Sequence, residues 1–390
     1  MLLTLIIFVL ILGLLVFVHE FGHFIVARKL GVKAEEFGFG FPPRAIGIQK
    51  KANKKWRVIF GNKSAEDFNG GTVYSLNWIP VGGFVKIKGE AGESKSGKDS
   101  FAGRPIWQRG SILFAGVLMN VVAAVVILSI GFCIGLPRAI DGEDMSPYAK
   151  VRNKQIELMQ IFEGSPAALA GLEAGDVINK VNGVQFYSGE SFSNYLKRNA
   201  SFPIQLEIKR NSEILTKELT PVVLTETNEL GIGVGYAEIG TVSYSPILAV
   251  WHGFLETGFY LKEIVRAFYG IIHNLLLGEK VSVDIAGPVG IAVFTGRVAR
   301  LGFVYLLQFT ALLSVNLAFL NIFPFPALDG GRLFFLIVEW LRKRPVPQKL
   351  ENLVHNVGFA LLMLLVVFVT YRDIAKFGGG FLDRIRHLVQ

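Results

Sequence analysis

The chain of 390 residues has one cysteine, Cys133, and only 18% charged residues. A single cysteine excludes an intrachain disulfide and any zinc cluster built from thiolates. Soluble domains are nearer one quarter charged, and the shortfall here is matched by 51% hydrophobic residues. The first apolar run lacks the basic start of a cleaved leader and is too long for one. It also carries His19, Glu20 and His23, so a retained helix is expected. The spans show no paired inverted repeat, which disfavours a transporter with a midplane ion site. The net charge of +9 does not point to nucleic acid. Many of its basic residues, including Arg28, Lys29, Lys33, Arg104, Arg109, Arg342, Lys343 and Arg344, flank apolar runs. That is the pattern of loops held at the cytoplasmic face against anionic lipid.

Four apolar runs are present, at about Leu2–Ala27, Ser111–Leu136, Leu301–Phe323 and Leu353–Tyr371. Each reaches or approaches the roughly 20 residues that cross a hydrocarbon layer as a helix. The expected order is a span at 1–27, a cytoplasmic-side loop at 28–110 and a span at 111–136. An extracytoplasmic segment at 137–240 and an amphipathic interfacial region at 241–300 follow. Then come a span with its closing turn at 301–331, a cytoplasmic loop at 332–352, a span at 353–371 and a tail at 372–390. Basic Arg28–Lys33 and Arg342–Arg344 set both internal loops inside, which leaves the N-terminus outside. Basic Arg372, Lys376, Arg384 and Arg386 in the tail pull the other way.

Within the first loop, Phe37 to Pro43 alternates Phe with Gly before a Pro pair and cannot form a regular helix. Trp78 to Gly89 reads as two short strands around a Pro/Gly turn, a hairpin too apolar for a solvated loop. It is expected to dip into the membrane, where irregular backbone is tolerated if it lines a protein cavity. Glu90–Ser100 reads as a flexible connector. Ser245–Gly278 mixes Trp251, Phe254 and Phe259 with Glu256, Lys262 and Arg266, as an interfacial helix broken at one of its glycines would.

The strongest chemical signal is His19-Glu20-Phe21-Gly22-His23. Four residues turn a helix by about 400°, so the two imidazoles share a face and suit one zinc ion. Glu20 beside them suits a base that takes a proton from a water whose pKa zinc lowers to about 7. Three ionisable groups within five residues of a membrane helix are costly unless partnered. The third ligand expected is Asp329, in Asn321-Ile322-Phe323-Pro324-Phe325-Pro326-Ala327-Leu328-Asp329-Gly330-Gly331. The prolines end the third span and the Gly pair permits close backbone approach. The first and third spans run in the same direction, which places Asp329 and the two histidines at one depth. Asn321 fits either an oxyanion contact or an interhelical one. Asn120, His252, His273 and His355 read as structural or interfacial.

These motifs together resemble the site-2 protease family, of the bacterial regulator-of-sigma-E-protease type. Arg104-Pro105-x-Trp107-Gln108-Arg109 before the second span and Ala286-Gly287-Pro288-Val289-Gly290-Ile291-Ala292 before the third are similar to that family as well. Val117 stands where the family often has Pro, and Arg332 where it often has His. The resemblance implies an intramembrane zinc metalloprotease of the bacterial inner membrane, with its active site near the cytoplasmic side. His19, His23 and Asp329 would hold Zn2+, Glu20 would be the base, and Asn321 would position substrate. Gly82, Gly83, Phe84, Val85 and Lys86 would belong to a β-loop that pairs with an unwound substrate, and Pro324 and Pro326 would also bind substrate.

Glu163 to Gly183 resembles part of a bacterial PDZ domain, placed at about 156–225, with Leu230–Gly233 a candidate part of its groove. The fold expected is thus a polytopic α-helical membrane protein. It has four transmembrane helices, a membrane-associated β-hairpin (about 78–89) and one extracytoplasmic PDZ-like α+β domain. The implied partners are single-span membrane proteins, such as anti-sigma factors or signal-peptide remnants, already trimmed by another protease, together with the lipid bilayer. The alternative is a non-proteolytic zinc-containing PDZ scaffold or chaperone.

Overall fold

The computed structural model describes residues 2–51, 55–61, 70–90, 97, 99–140, 146–199, 202–210, 213–224, 230–279 and 286–377. Most of the Glu90–Ser100 connector, and the tail beyond 377 with Arg384 and Arg386, lie outside these residues. The chain divides into two compact units: residues 1–128, 253–302 and 306–390 form the first, and residues 129–252 with 303–305 the second.

The first unit begins with helix α1 (Leu2–Lys29), whose last turn carries Arg28 and Lys29, where cations suit the helix dipole. Helix α2 is Ile106–Ile134, α7 Phe303–Ile322 and α9 Gln348–Phe377. With α1, these are the four described helices long and apolar enough to cross a membrane. The α1–α2 crossing is close because Gly22 faces α2. A Cβ there would lie 2.3 Å from the Ala115 carbonyl oxygen. Small residues permit such approach where lipid supplies no hydrophobic drive.

The region 28–110 departs from a simple hairpin. Strands β1 (Ala34–Lys51), β2 (Trp56–Phe60) and β3 (Gly70–Ile87) form one sheet in the order β2-β1-β3. Residues 78–87 belong to a single long strand that bends, rather than to two strands paired with each other. Both halves of β3 flank the start of β1, so that Phe37 faces Val85 on one side and Tyr74 on the other. Period-two patterning over a dozen residues cannot reveal a partner forty residues upstream. The bend is held against α1: a Cβ on Gly83 would lie 2.7 Å from Phe17 Cα, and one on Gly82, at φ +85°, 2.8 Å from Val16.

The sheet also has inverted polarity. One face exposes Ile46, Ile48, Trp56, Val58, Phe60 and Leu76. Glu36, Arg44, Gln49 and Asn77 are buried instead, with Arg44 Nε donating to Glu36 Oε1 at 2.7 Å.

Three further helices complete the described helices of this part of the chain, and the first departs from expectation. Helix α5 (Pro246–Leu276) runs unbroken through Gly253, Gly258 and Gly270, because an isolated Gly costs a helix only about 1 kcal/mol. Helix α6 (Pro288–Leu301) starts at the Ala286–Ala292 motif, where buried Asp373 of α9 accepts from Gly290 N–H at 2.6 Å. Helix α8 (Asp329–Arg342) occupies much of the expected loop at 332–352.

The second unit contains a sheet of six strands in the order β4-β11-β5-β6-β7-β8. These are β4 (Leu136–Ala139), β5 (Lys150–Ile161), β6 (Val177–Val181), β7 (Ile204–Arg210), β8 (Glu213–Leu219) and β11 (Val234–Ser243). Helices α3 (Pro166–Leu169) and α4 (Gly189–Arg198) help enclose a core that includes Ile156, Leu158, Phe192, Ile204, Leu206 and Ile208. Short β9 (Val222–Val223) pairs with β10 (Leu230–Gly231). The sheet therefore extends beyond 156–225, since β4 and β11 come from outside that range. Arg210 bonds the buried Asp176 carboxylate through Nε and Nη2, both at 2.7 Å, and that bonding holds the guanidinium pKa above its ordinary value.

Candidate metal centre and catalytic cleft

The candidate metal centre begins with two side chains on one face of α1. His19 and His23 are both buried, and their Nε2 atoms lie 3.1 Å apart. The Phe323–Leu328 turn brings in Asp329. Its prolines withhold backbone donors and end α7. Gly330 and Gly331 let the chain fold back tightly: Cβ atoms there would lie 2.1 Å from Phe323 O and 2.5 Å from Phe325 O. Asp329 Oδ2 is then 2.9 Å from His19 Nε2 and 3.1 Å from His23 Nε2.

The three donors form a nearly equilateral triangle. A tetrahedral zinc site with bonds of about 2.0–2.1 Å has edges of about 3.3 Å, so two imidazoles and a carboxylate at this separation fit the ion. Among the described residues, His19, His23 and Asp329 are the cluster able to hold a metal.

Helix α2 forms the wall behind the three candidate ligands. His23 Nδ1 donates to the Ile112 carbonyl at 2.8 Å, which directs Nε2 to the triangle. One turn on, Gly116 leaves room for both rings; its Cβ would lie 2.4 Å from His23 Nε2 and 2.8 Å from His19 Cε1. One turn further, the Asn120 amide sits 3.2 Å from His19 Nδ1. A ligating Nε2 requires the proton on Nδ1, so Asn120 must present its oxygen to His19. Amide oxygen and nitrogen are assigned from such partners, and the amide atom turned away from His19 is buried without one. In the sequence alone Asn120 reads as structural or interfacial. Its spacing from Ile112 and Gly116 at i+8 and i+4 on one helix is the signal that was available, but their common partner is visible only in three dimensions.

A cleft of about 510 Å³ adjoins the triangle. Its lining includes Glu20, His23 and Asp329, residues 84–87 of β3, and Arg332, His355, Asn356 and Phe359. Glu20 follows His19 on α1 and meets the backbone N–H of Val85, which sets the base candidate against the strand. Lys86 pairs with Glu35 at 3.0 Å, and Arg332 pairs with Glu90. Where β3 ends, Lys88 donates to both oxygens of Asp99, at 2.8 and 2.9 Å, and so holds that carboxyl below the usual carboxylate range.

Phe84, Val85 and Lys86 thus reach the cleft. Gly82 and Gly83 instead pack the bend onto α1. Pro324 and Pro326 shape the turn, and Pro326 contacts α9 at Gly358, where a Cβ would lie 2.2 Å from it. Asn321 sits half-buried in the last turn of α7, outside the cleft lining. His252 stacks on Tyr244 with ring centres 3.8 Å apart, and His273 packs near Tyr269.

Known proteins carry the same arrangement of sequence. The profile of peptidase family M50 matches residues 7–61 and 52–365. A Clostridium perfringens protein named as a zinc metalloprotease is 35% identical over 361 residues, covering 92% of this chain and 95% of its own. The regulator of sigma-W protease RasP of Bacillus subtilis is 29% identical over 454 residues, covering 96% of this chain and 98% of its own. A solved PDZ domain of an SdrC-like protein from Listeria monocytogenes matches 22% of this chain and 92% of its own, with 23% identity and a TM-score of 0.21. The chain belongs to peptidase family M50, the site-2 proteases, and is a zinc metalloprotease.

Proposed function

We propose that this protease cuts single-span membrane proteins within the bilayer, near the cytoplasmic leaflet, after pairing an unwound stretch of substrate with the outer edge of β3. The observation that carries this reading is that Glu20, His23 and Asp329 share one cleft with residues 84–87 of a strand. That stretch of β3 has β1 on one side and no strand on the other among the described residues.

Depth supports the reading. With α1 rising about 1.5 Å per residue, His23 lies about 8 Å and Gly13 about 22 Å from Arg28 along the helix. The Pro80–Gly82 bend packs at Gly13, well inside a hydrocarbon layer of about 30 Å. The apolar outer face of the sheet, with Phe60 69% and Trp56 59% exposed, suits lipid contact; in water it would be a large apolar patch. The basic ends of α1 and α8 set the cytoplasmic side. That topology leaves the PDZ-like segment outside, where it would admit substrates already trimmed by another protease.

His19, His23 and Asp329 would hold the zinc ion, which supplies Lewis acidity to a water and to the scissile carbonyl. Glu20 takes the proton from the attacking water and returns it to the departing amide nitrogen. The edge from Phe84 to Lys86 fixes the peptide as a strand, because a helical peptide keeps its carbonyls bonded internally. Asn321 keeps a substrate-positioning role on its motif alone. The scaffold reading leaves Glu20 in the cleft without a task.

The test is to reconstitute the chain in liposomes with a single-span substrate and map the cut. Cleavage within the apolar segment that a zinc chelator abolishes is expected. Cleavage confined to the aqueous part of the substrate would overturn the reading.

A further inference from the structure

The cleft wall contributed by α9 holds a group that the proposed chemistry does not use. His355 Nδ1 accepts the backbone N–H of Ala327 at 2.9 Å. A backbone N–H can only donate, so Nδ1 carries the lone pair and the ring proton sits on Nε2. That Nε2–H is buried and, among the described residues, has no partner. An unpaired buried donor is costly, and this one belongs to a residue lining the same cleft as Glu20 and Asp329.

The ring cannot easily turn away. Ala327 has φ +81° without being glycine, and the bond to Nδ1 helps hold that strained turn. Three residues on, Gly358 packs against Pro326, so α9 lies tightly on the turn. Three carboxylates of the cleft are engaged elsewhere: Glu90 with Arg332, Glu35 with Lys86, and Asp329 with the two histidines.

We infer that His355 is a substrate-binding residue whose Nε2–H, covered in this structure, is uncovered as the extended peptide enters the cleft and then donates to one of its main-chain carbonyls. This rests on the reading above that the substrate enters as a strand. Such a strand has one edge paired with β3. Its other edge brings unpaired carbonyls into a cleft set within the membrane, where each needs a donor. His355 supplies one from a different wall. Its interaction is with the peptide backbone, so it serves substrates regardless of their side chains.

Two substitutions separate this role from support of the turn. His355→Asn places an acceptor where Nδ1 was but removes the cleft donor. His355→Gln restores a donor near Nε2 and gives up the Nδ1 acceptor. In full-length protein in detergent, zinc content, kcat/KM for a single-span substrate and affinity of the chelator-treated protein for a fluorescent copy of that substrate are measured. The Asn variant should keep its zinc yet lose about 10- to 100-fold in kcat/KM and in affinity, and the Gln variant should recover affinity to within about threefold of wild type. Wild-type cleavage by the Asn variant, or zinc loss in the Gln variant with affinity unchanged in the Asn variant, overturns the inference and leaves the proteolytic reading standing. If wild type does not cleave but the Asn variant still loses affinity, the proteolytic reading fails and the donor role survives.

Discussion

The Asn120 amide lies 3.2 Å from Nδ1 of His19, on the edge of the ring away from Asp329. Through this contact α2 would fix the tautomer of a candidate ligand on α1, so zinc affinity should depend on a residue that does not touch the metal. Asn120→Ala should weaken zinc binding by about 10- to 100-fold, measured by competition with a chelating dye. Unchanged affinity would make Asn120 a packing residue.

Gly116 makes a sharper case, because only space is at issue. Gly116→Ala puts a methyl 2.4 Å from His23 Nε2, which forces the imidazole out of the triangle. We expect zinc content well below one per chain while circular dichroism stays helical. Gly110→Ala, with nothing within 4 Å of its Cβ, is the control and should keep its zinc.

The inverted sheet predicts lipid contact at a stated place. In a Cys133→Ser background, a spin label at Trp78→Cys should be more accessible to oxygen than to a water-soluble nickel complex. Trp78 is 72% exposed, so the label is tolerated. The opposite accessibility would put the sheet in water and remove the depth argument.

Asp373 ties α9 to the start of α6. Asp373→Ala leaves the Gly290 N–H without its buried acceptor, a loss of about 1–3 kcal/mol. The expected readout is faster amide exchange over the first turn of α6, with zinc content unchanged.

Much of the centre was legible in the sequence because its signals are local. The spacing of His19 and His23 follows from helix geometry, and the Pro/Gly run before Asp329 announces a tight turn wherever it occurs. What was not legible depends on partners remote in the chain. Asn120 and His355 are ordinary polar residues in apolar helices until α2 and α9 are packed against His19 and Ala327. The doubling of β3 around β1, which pairs Phe37 with both Tyr74 and Val85, leaves no trace in local patterning. The sheet of the second unit takes β4 and β11 from outside the 156–225 stretch that resembles a PDZ domain, and α5 crosses three glycines because packing and length outweigh a small propensity cost.

The central claim is that Glu20 does proton work beside a zinc ion held by His19, His23 and Asp329. Purified wild type and Glu20→Gln, assayed together for zinc and for cleavage of one transmembrane substrate, test it most directly. About one zinc per chain is expected in both proteins, with the variant slower by at least about 10²-fold. Comparable cleavage by the two proteins, or active wild type without zinc, would contradict it.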